Sequence, residues 1–211
     1  MMTLKRVVVL APHTDDGELA AGASLSRWVS EGLEVHYVAF SACQSAVPDG
    51  WPEDVLVDEV KRATSYLGIP PSNLRILDFE VRLFARDRQR LLQAMVDLDK
   101  ELRPDLVLMP SVRDLHQDHN VVAMEGLRAF KHRSVLAYEI PWNNITFTTS
   151  CFVSVTQADV DRKLGAVQCY RSQAGRVYAA ADFLEAQLRF RGVQAGIRYA
   201  ESFDVVRWVL R

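Results

Sequence analysis

The chain has 211 residues, of which 49% are hydrophobic and 25% charged, and its formal net charge is -2. That composition excludes a disordered or fibrous protein, and the charge balance gives no electrostatic basis for nucleic acid or an anionic membrane as partner. Cys43, Cys151 and Cys169 are odd in number, far apart and in no CxxC spacing, which argues against a disulfide framework and a thiolate zinc site.

The first apolar run, residues 6–10, predicts a strand. It is too short for a signal-peptide core, and no stretch approaches the roughly 18 apolar residues of a membrane span. A cytoplasmic location is therefore expected. The run leads into Pro12-His13-Thr14-Asp15-Asp16, a strand end that presents an imidazole and two adjacent carboxylates. One reading makes Asp15 and Asp16 caps of the following helix, where carboxylates are favoured by unpaired backbone N–H groups. The other makes the turn a metal site. Trp28, at helical spacing from Leu25, is expected in the core.

A second strand is predicted over 34–40, followed by the irregular stretch 41–53 with Pro48, Gly50 and Pro52, the expected mobile loop. Leu56, Val60, Ala63 and Leu67 mark a helical face that ends at Gly68 ahead of Pro70 and Pro71. A strand over 73–77 precedes the helical face Leu91, Met95, Leu98 and Leu102, which stops before Pro104. The strand over 105–109 leads to a second polar turn, Asp114-Leu115-His116-Gln117-Asp118-His119. Strands are predicted over 134–139 and 151–155, helices over 157–170 and 180–191, and a closing strand within 199–210.

Short strands alternating with helices predict a single α/β domain over 1–211, three layers with a mostly parallel sheet and helices on both faces. Ligands of such sheets bind at the carboxyl ends of the strands, where both polar turns fall. No GxGxxG follows the first strand, so a dinucleotide cofactor lacks support.

A catalytic zinc commonly takes three His or carboxylate ligands and leaves a fourth position open. His13, Asp16 and His119 supply that set, and Asp15, directed differently by the tight turn, is the candidate base for a metal-activated water. A protonated His116, held in its charged form by Asp118, would stabilise the oxyanion of an amide under attack. Capping would explain the aspartates of the second turn but not its two histidines. His36 and His132 lack this setting and are expected to be structural. Arg82, Trp142 and Asn143 are candidate substrate contacts: a cation for a carboxylate or phosphate, an aromatic face and an amide for a sugar. Trp142 could equally be a loop residue, with Asn143 and Asn144 shaping a turn.

The motif Pro12-His13-Thr14-Asp15-Asp16, with Glu18 and Gly22 after it, resembles the first motif of the PIG-L/LmbE-like family of zinc-dependent N-deacetylases, and His116-Gln117-Asp118-His119 resembles the second. The resemblance runs on through Tyr138-Glu139-Ile140-Pro141, Lys163, Tyr170-Arg171-Ser172-Gln173 and Tyr199-Ala200-Glu201-Ser202-Phe203. It implies a Rossmann-like sheet and removal of the N-acetyl group from an N-acetylglucosamine-type sugar, often one carried on a larger conjugate. By motif position it makes His13, Asp16 and His119 metal ligands, Asp15 the base, and His116 the oxyanion-stabilising or acid group supported by Asp118. Zinc is the implied cofactor, with ferrous iron or another divalent ion as alternatives. The implied partner is a small amino-sugar conjugate, with self-association open. Thr14 stands where the family usually has Pro, and Gly17 where it usually has an acidic residue; the second departure is expected to alter contacts at the site rim.

Two other functions fit parts of the pattern. His13-x-Asp15 with His119 also matches the two-His-one-carboxylate set of Fe(II) oxygenases, though that would leave Asp16 and His116 without roles. A non-catalytic zinc-containing sugar-binding protein is the third reading, but a structural zinc site is usually closed by four ligands and needs no spare carboxylate.

Overall fold

The computed structural model describes residues 4–210. Seven strands form one sheet: β1 (Arg6–Ala11), β2 (Glu34–Ala39), β3 (Leu74–Ile76), β4 (Leu106–Pro110), β5 (Ser134–Tyr138), β6 (Cys151–Ser154) and β7 (Ala200–Arg207). Their order across the sheet is β3-β2-β1-β4-β5-β7-β6. The first five run parallel, β7 pairs antiparallel with β5, and β6 pairs antiparallel with β7. The helices are α1 (Asp16–Ser30), α2 (Val55–Tyr66), α3 (Arg88–Leu102), α4 (Gln117–Ala129), α5 (Gln157–Val167) and α6 (Ala181–Gln194).

The unbroken apolar runs of β1 and β4 suit strands covered on both faces. Alternate residues divide between two cores. Val7, Val9, Leu106 and Leu108 pack with residues of α1, α2, α5 and α6, whereas Val8, Leu10, Val107 and Met109 pack with residues of α3 and α4. Trp28 lies in the first of these and stacks on Phe203, as expected of a core residue. The parallel ladder between β1 and β4 ends at Val9 and Leu108, although both strands continue for two more residues. From β1 the chain builds outward to β2 and β3, and from β4 outward to β5. The crevice between the two ends is thus the topological switch point of the sheet.

The departures from the predicted elements are at edges. β3 has three residues because a single 3-10 turn, Pro71–Asn73, precedes it and only β2 pairs with it. α5 ends at Val167 rather than 170, since the chain turns there to place Tyr170 in the core. The stretch 41–53 contains one 3-10 turn, Gln44–Ala46. Among the described residues no helix is long and apolar enough to cross a membrane.

Candidate functional site

The turn that leaves β1 is held from below by phenols. Tyr37 and Tyr170 both donate to the Thr14 carbonyl, at 2.9 and 2.6 Å, and both reach the carboxyl group of buried Glu18. Burial outweighs those hydrogen bonds and pushes Glu18 up to about 8. Tyr37 also accepts the Gly17 N–H at 2.9 Å, and a Cβ on Gly17 would stand 2.4 Å from the Tyr37 ring. Gly17 is therefore not a rim residue, contrary to the expectation from sequence. It is small because a tyrosine crosses it.

This scaffold presents His13, Asp15 and Asp16 to the crevice, and the turn after β4 presents His116 and His119. Asp16 Oδ2 lies 3.2 Å from His13 Nδ1 and 3.3 Å from His119 Nε2, and those two nitrogens are 3.2 Å apart. Asp16 Oδ2 also accepts the His13 backbone N–H at 2.7 Å. Donors sharing one tetrahedral metal, with bonds of about 2.0–2.2 Å, stand about 3.3–3.5 Å apart, so the triangle fits such an ion closely.

The outer nitrogens of both rings support the same conclusion. His119 Nδ1 is 2.8 Å from Asp114 Oδ2, and His13 Nε2 is 3.1 Å from Asp118 Oδ2. When these rings are neutral, the carboxylates hold the proton on each outer nitrogen and leave the inner lone pairs facing one another across the triangle, the tautomer assigned by the hydrogen-bond network. Burial opposes charge on these rings, but Asp16 and Asp118 raise His13 to about 9, and Asp16 and Asp114 raise His119 to about 10. Asp16 is held well below the usual carboxylate range; burial works against this, and His119 and His13 outweigh it. The triangle is built to hold positive charge. Protons compete for it with any metal, so affinity must fall with acidity.

Asp118 corrects the sequence reading. Its carboxylate faces His13 and accepts the backbone N–H groups of Arg82 at 2.6 Å and Phe84 at 3.4 Å, rather than supporting His116. The Asp118 backbone N–H donates to His116 Nδ1 at 3.2 Å, the His116 backbone N–H donates to Asp114 Oδ1 at 2.8 Å, and the His116 ring packs against those of His13 and His119. Burial and the charged rings of His13 and His119 hold His116 below the usual histidine range. A neutral ring with Nδ1 accepting carries its proton on Nε2, so His116 offers a hydrogen-bond donor rather than a cation.

Asp15 occupies the N-cap position of α1 but makes no side-chain capping bond, which removes the helix-cap reading for it. Burial and the neighbouring charge of Asp16 raise its carboxyl group to about 6. It lines a cavity of about 260 Å³ together with His13, Asp16, His116 and His119. Arg82, Trp142 and Asn143 line the same cavity, whereas Asn144 turns away and accepts the Ile140 N–H at 2.8 Å. His36 lies outside the cavity and pairs with Glu34 at 2.7 Å. Sequence reasoning gave no role to Gln173, Arg176 and Tyr178, which also line the cavity. They follow α5 in a stretch of 3-10 turns, where hydrophobic period carries no signal. Tyr178 stacks on Trp142, with ring centroids 4.2 Å apart at 16°.

Residues 8–130 match the family described as PIG-L: GlcNAc-PI de-N-acetylase. The chain is 28% identical over 178 residues to the uncharacterized deacetylase YaiS of Escherichia coli, covering 80% of this chain and 91% of that protein. It is 26% identical to the diacetylchitobiose deacetylase of Thermococcus kodakarensis, covering 96% and 84%. Among solved structures, the conserved protein TT1542 of Thermus thermophilus superimposes with a TM-score of 0.79 at 28% identity, covering 99% of this chain and 97% of that one.

Proposed function

From membership of the PIG-L family, to which this chain belongs, we propose that it is a metal-dependent hydrolase that removes the N-acetyl group from an N-acetylglucosamine-type sugar or sugar conjugate. The observation that carries the reading is the triangle of His13 Nδ1, His119 Nε2 and Asp16 Oδ2, with each ring backed by its own carboxylate. These three residues would hold the metal, zinc being the ion that the donor set and separations suit best. When bound there, such an ion supplies Lewis acidity, polarising an amide carbonyl and acidifying water.

The remaining work falls to the chain's own groups. Asp15 faces the cavity unencumbered by capping, and takes the proton of the attacking water. His116 presents Nε2–H to the carbonyl oxygen, where negative charge develops as the tetrahedral centre forms. The proton on Asp15 then passes to the departing nitrogen, so the amide C–N bond breaks to give acetate and a free amine. Asp114 and Asp118 keep His119 and His13 in the tautomer that leaves their inner nitrogens free. Trp142, Asn143 and Arg82 contact the sugar from the cavity wall.

The Fe(II) oxygenase reading takes Asp15 as its carboxylate, whereas Asp16 lies against both histidines, and the family match over residues 8–130 supports amide hydrolysis instead. A purely structural metal site would leave the free Asp15 unexplained. The test is acetate release from N-acetylglucosamine glycosides, with chelator-treated protein as control. Release that chelation abolishes and added zinc restores is expected. Metal bound without release from any N-acetylated sugar would overturn the proposal.

A further inference from the structure

Two arginines line the cavity, and the hydrolysis proposed above assigns neither guanidinium a part in the reacting atoms. Arg82 and Arg176 are both exposed at its edge, and among the described residues neither guanidinium is paired with a carboxylate, unlike Arg75 with Glu101 or Arg191 with Glu139. Arg176 is nevertheless held from behind by its side chain, and Arg82 by its backbone. Arg176 Nε donates to Gln173 Oε1 at 3.2 Å, Gln173 Nε2 donates to Ser172 Oγ at 3.3 Å, and Ser172 Oγ donates to Glu59 Oε2 at 2.6 Å. Glu59 is fully buried, and Ser172 and Gln173 are buried as well. Because the Gln173 amide nitrogen points at Ser172, its oxygen is turned to Arg176. A guanidinium held in this way is preorganised rather than free to sample solvent.

Arg82 is fixed by its backbone. Its φ of 72° lies in the left-handed region, unusual for a residue with a side chain, and its N–H donates to Asp118 Oδ2, the same oxygen that meets His13 Nε2. Glycine would adopt that conformation with less strain. What the arginine side chain adds there is a cation on the wall of the cavity that His13, Asp16 and His119 also line, and such strain persists at sites that use it.

Resting on the deacetylase reading above, we propose that the amino-sugar substrate carries an anionic substituent, a phosphate or a carboxylate, and that Arg82 and Arg176 bind it. The planar fork of a guanidinium matches both anions with paired hydrogen bonds. Both arginines line the same cavity as Asp15, so the anion they meet sits on the sugar or on the group joined directly to it. Of the carboxylates facing this cavity, Asp16 is satisfied by His13 and His119, which leaves Asp15 alone to oppose an incoming anion.

The experiment compares acetate release from N-acetylglucosamine 1-phosphate, from N-acetylglucosaminuronic acid and from the neutral methyl glycoside of N-acetylglucosamine. The first two arms separate phosphate from carboxylate. KM for one anionic substrate is expected about tenfold or more below that of the neutral one, with the gap narrowing as NaCl rises from about 50 to about 500 mM. Arg176→Gln and Arg82→Gly each shrink that preference, and Arg176→Lys restores part of it. Calorimetric binding of glucosamine 1-phosphate and glucosaminuronic acid gives a readout independent of turnover, and the favoured anion should bind more weakly to Arg176→Gln. Equal KM values for all three substrates would overturn the anion site and leave the deacetylase reading standing. Arginine-dependent binding of one anionic sugar without acetate release from any substrate would do the reverse.

Discussion

Asp15 and His116 occupy the same position in two helices, the N-cap residue at the carboxyl end of a central parallel strand, and the fold uses them in opposite ways. His116 caps α4: its Nδ1 accepts the Asp118 N–H, and that bond fixes which nitrogen faces the cavity. Asp15 stands at the start of α1 and caps nothing. A carboxylate there would ordinarily stabilise the helix by about 0.5–2 kcal/mol through such a bond. Here the turn is held instead by Tyr37 and Tyr170 on the Thr14 carbonyl, so the Asp15 carboxylate is released to the cavity. A carboxylate at a helix start is thus left free to face a cavity when other groups bear the turn.

The residues proposed to hold the metal come from both turns, and removing one of them should have the largest effect. His119→Ala should reduce bound metal to background and acetate release by more than about 10⁴-fold, measured by metal content and turnover together, because it also strands buried Asp114. Asp15→Asn sharpens the contrast. It should lower kcat by about 10²- to 10⁴-fold while metal content holds and Tm does not fall, since no capping bond is lost. A clear drop in Tm would show that Asp15 supports the helix after all.

The complementary test is His116→Ala, which should lower kcat by about 10²- to 10³-fold and also cost about 1 kcal/mol of stability. Because Asn is a good N-cap, His116→Asn should recover the stability in chemical unfolding but not the rate. The smallest effect is expected at Asp118→Asn, with metal affinity weakened about 10- to 100-fold in a competition titration. A loss confined to kcat, with affinity unchanged, would instead return Asp118 to a role at His116.

Much of this was legible in the chain. The unbroken apolar runs of β1 and β4 mark central strands, and the polar turns beyond them mark the crevice, because parallel sheets gather ligands at strand ends. The convergence of His13, Asp16 and His119 follows from the same logic. The outer partners were not legible. His13 and Asp118 are 105 residues apart, and their pairing depends on how the stretch from Val81 to Phe84 folds over the β4 turn and donates two backbone N–H groups to Asp118. The place of Gly17 was equally hidden, since it answers to Tyr37 on the neighbouring strand. Arg176 lies between two 3-10 turns, the first anchored by Glu59 of a distant helix, where periodicity is silent.

Hydrophobic period and turn chemistry are local properties of the chain, so the sequence marks the elements, a mostly parallel sheet and the side chains at the strand ends, though not the antiparallel setting of β7 and β6. Only the tertiary structure decided the tautomers of the histidines, the freedom of Asp15 and the anchoring of the cavity wall. Those depend on hydrogen bonds between residues far apart in the chain, and no local pattern encodes which distant donor or acceptor a buried polar group will meet.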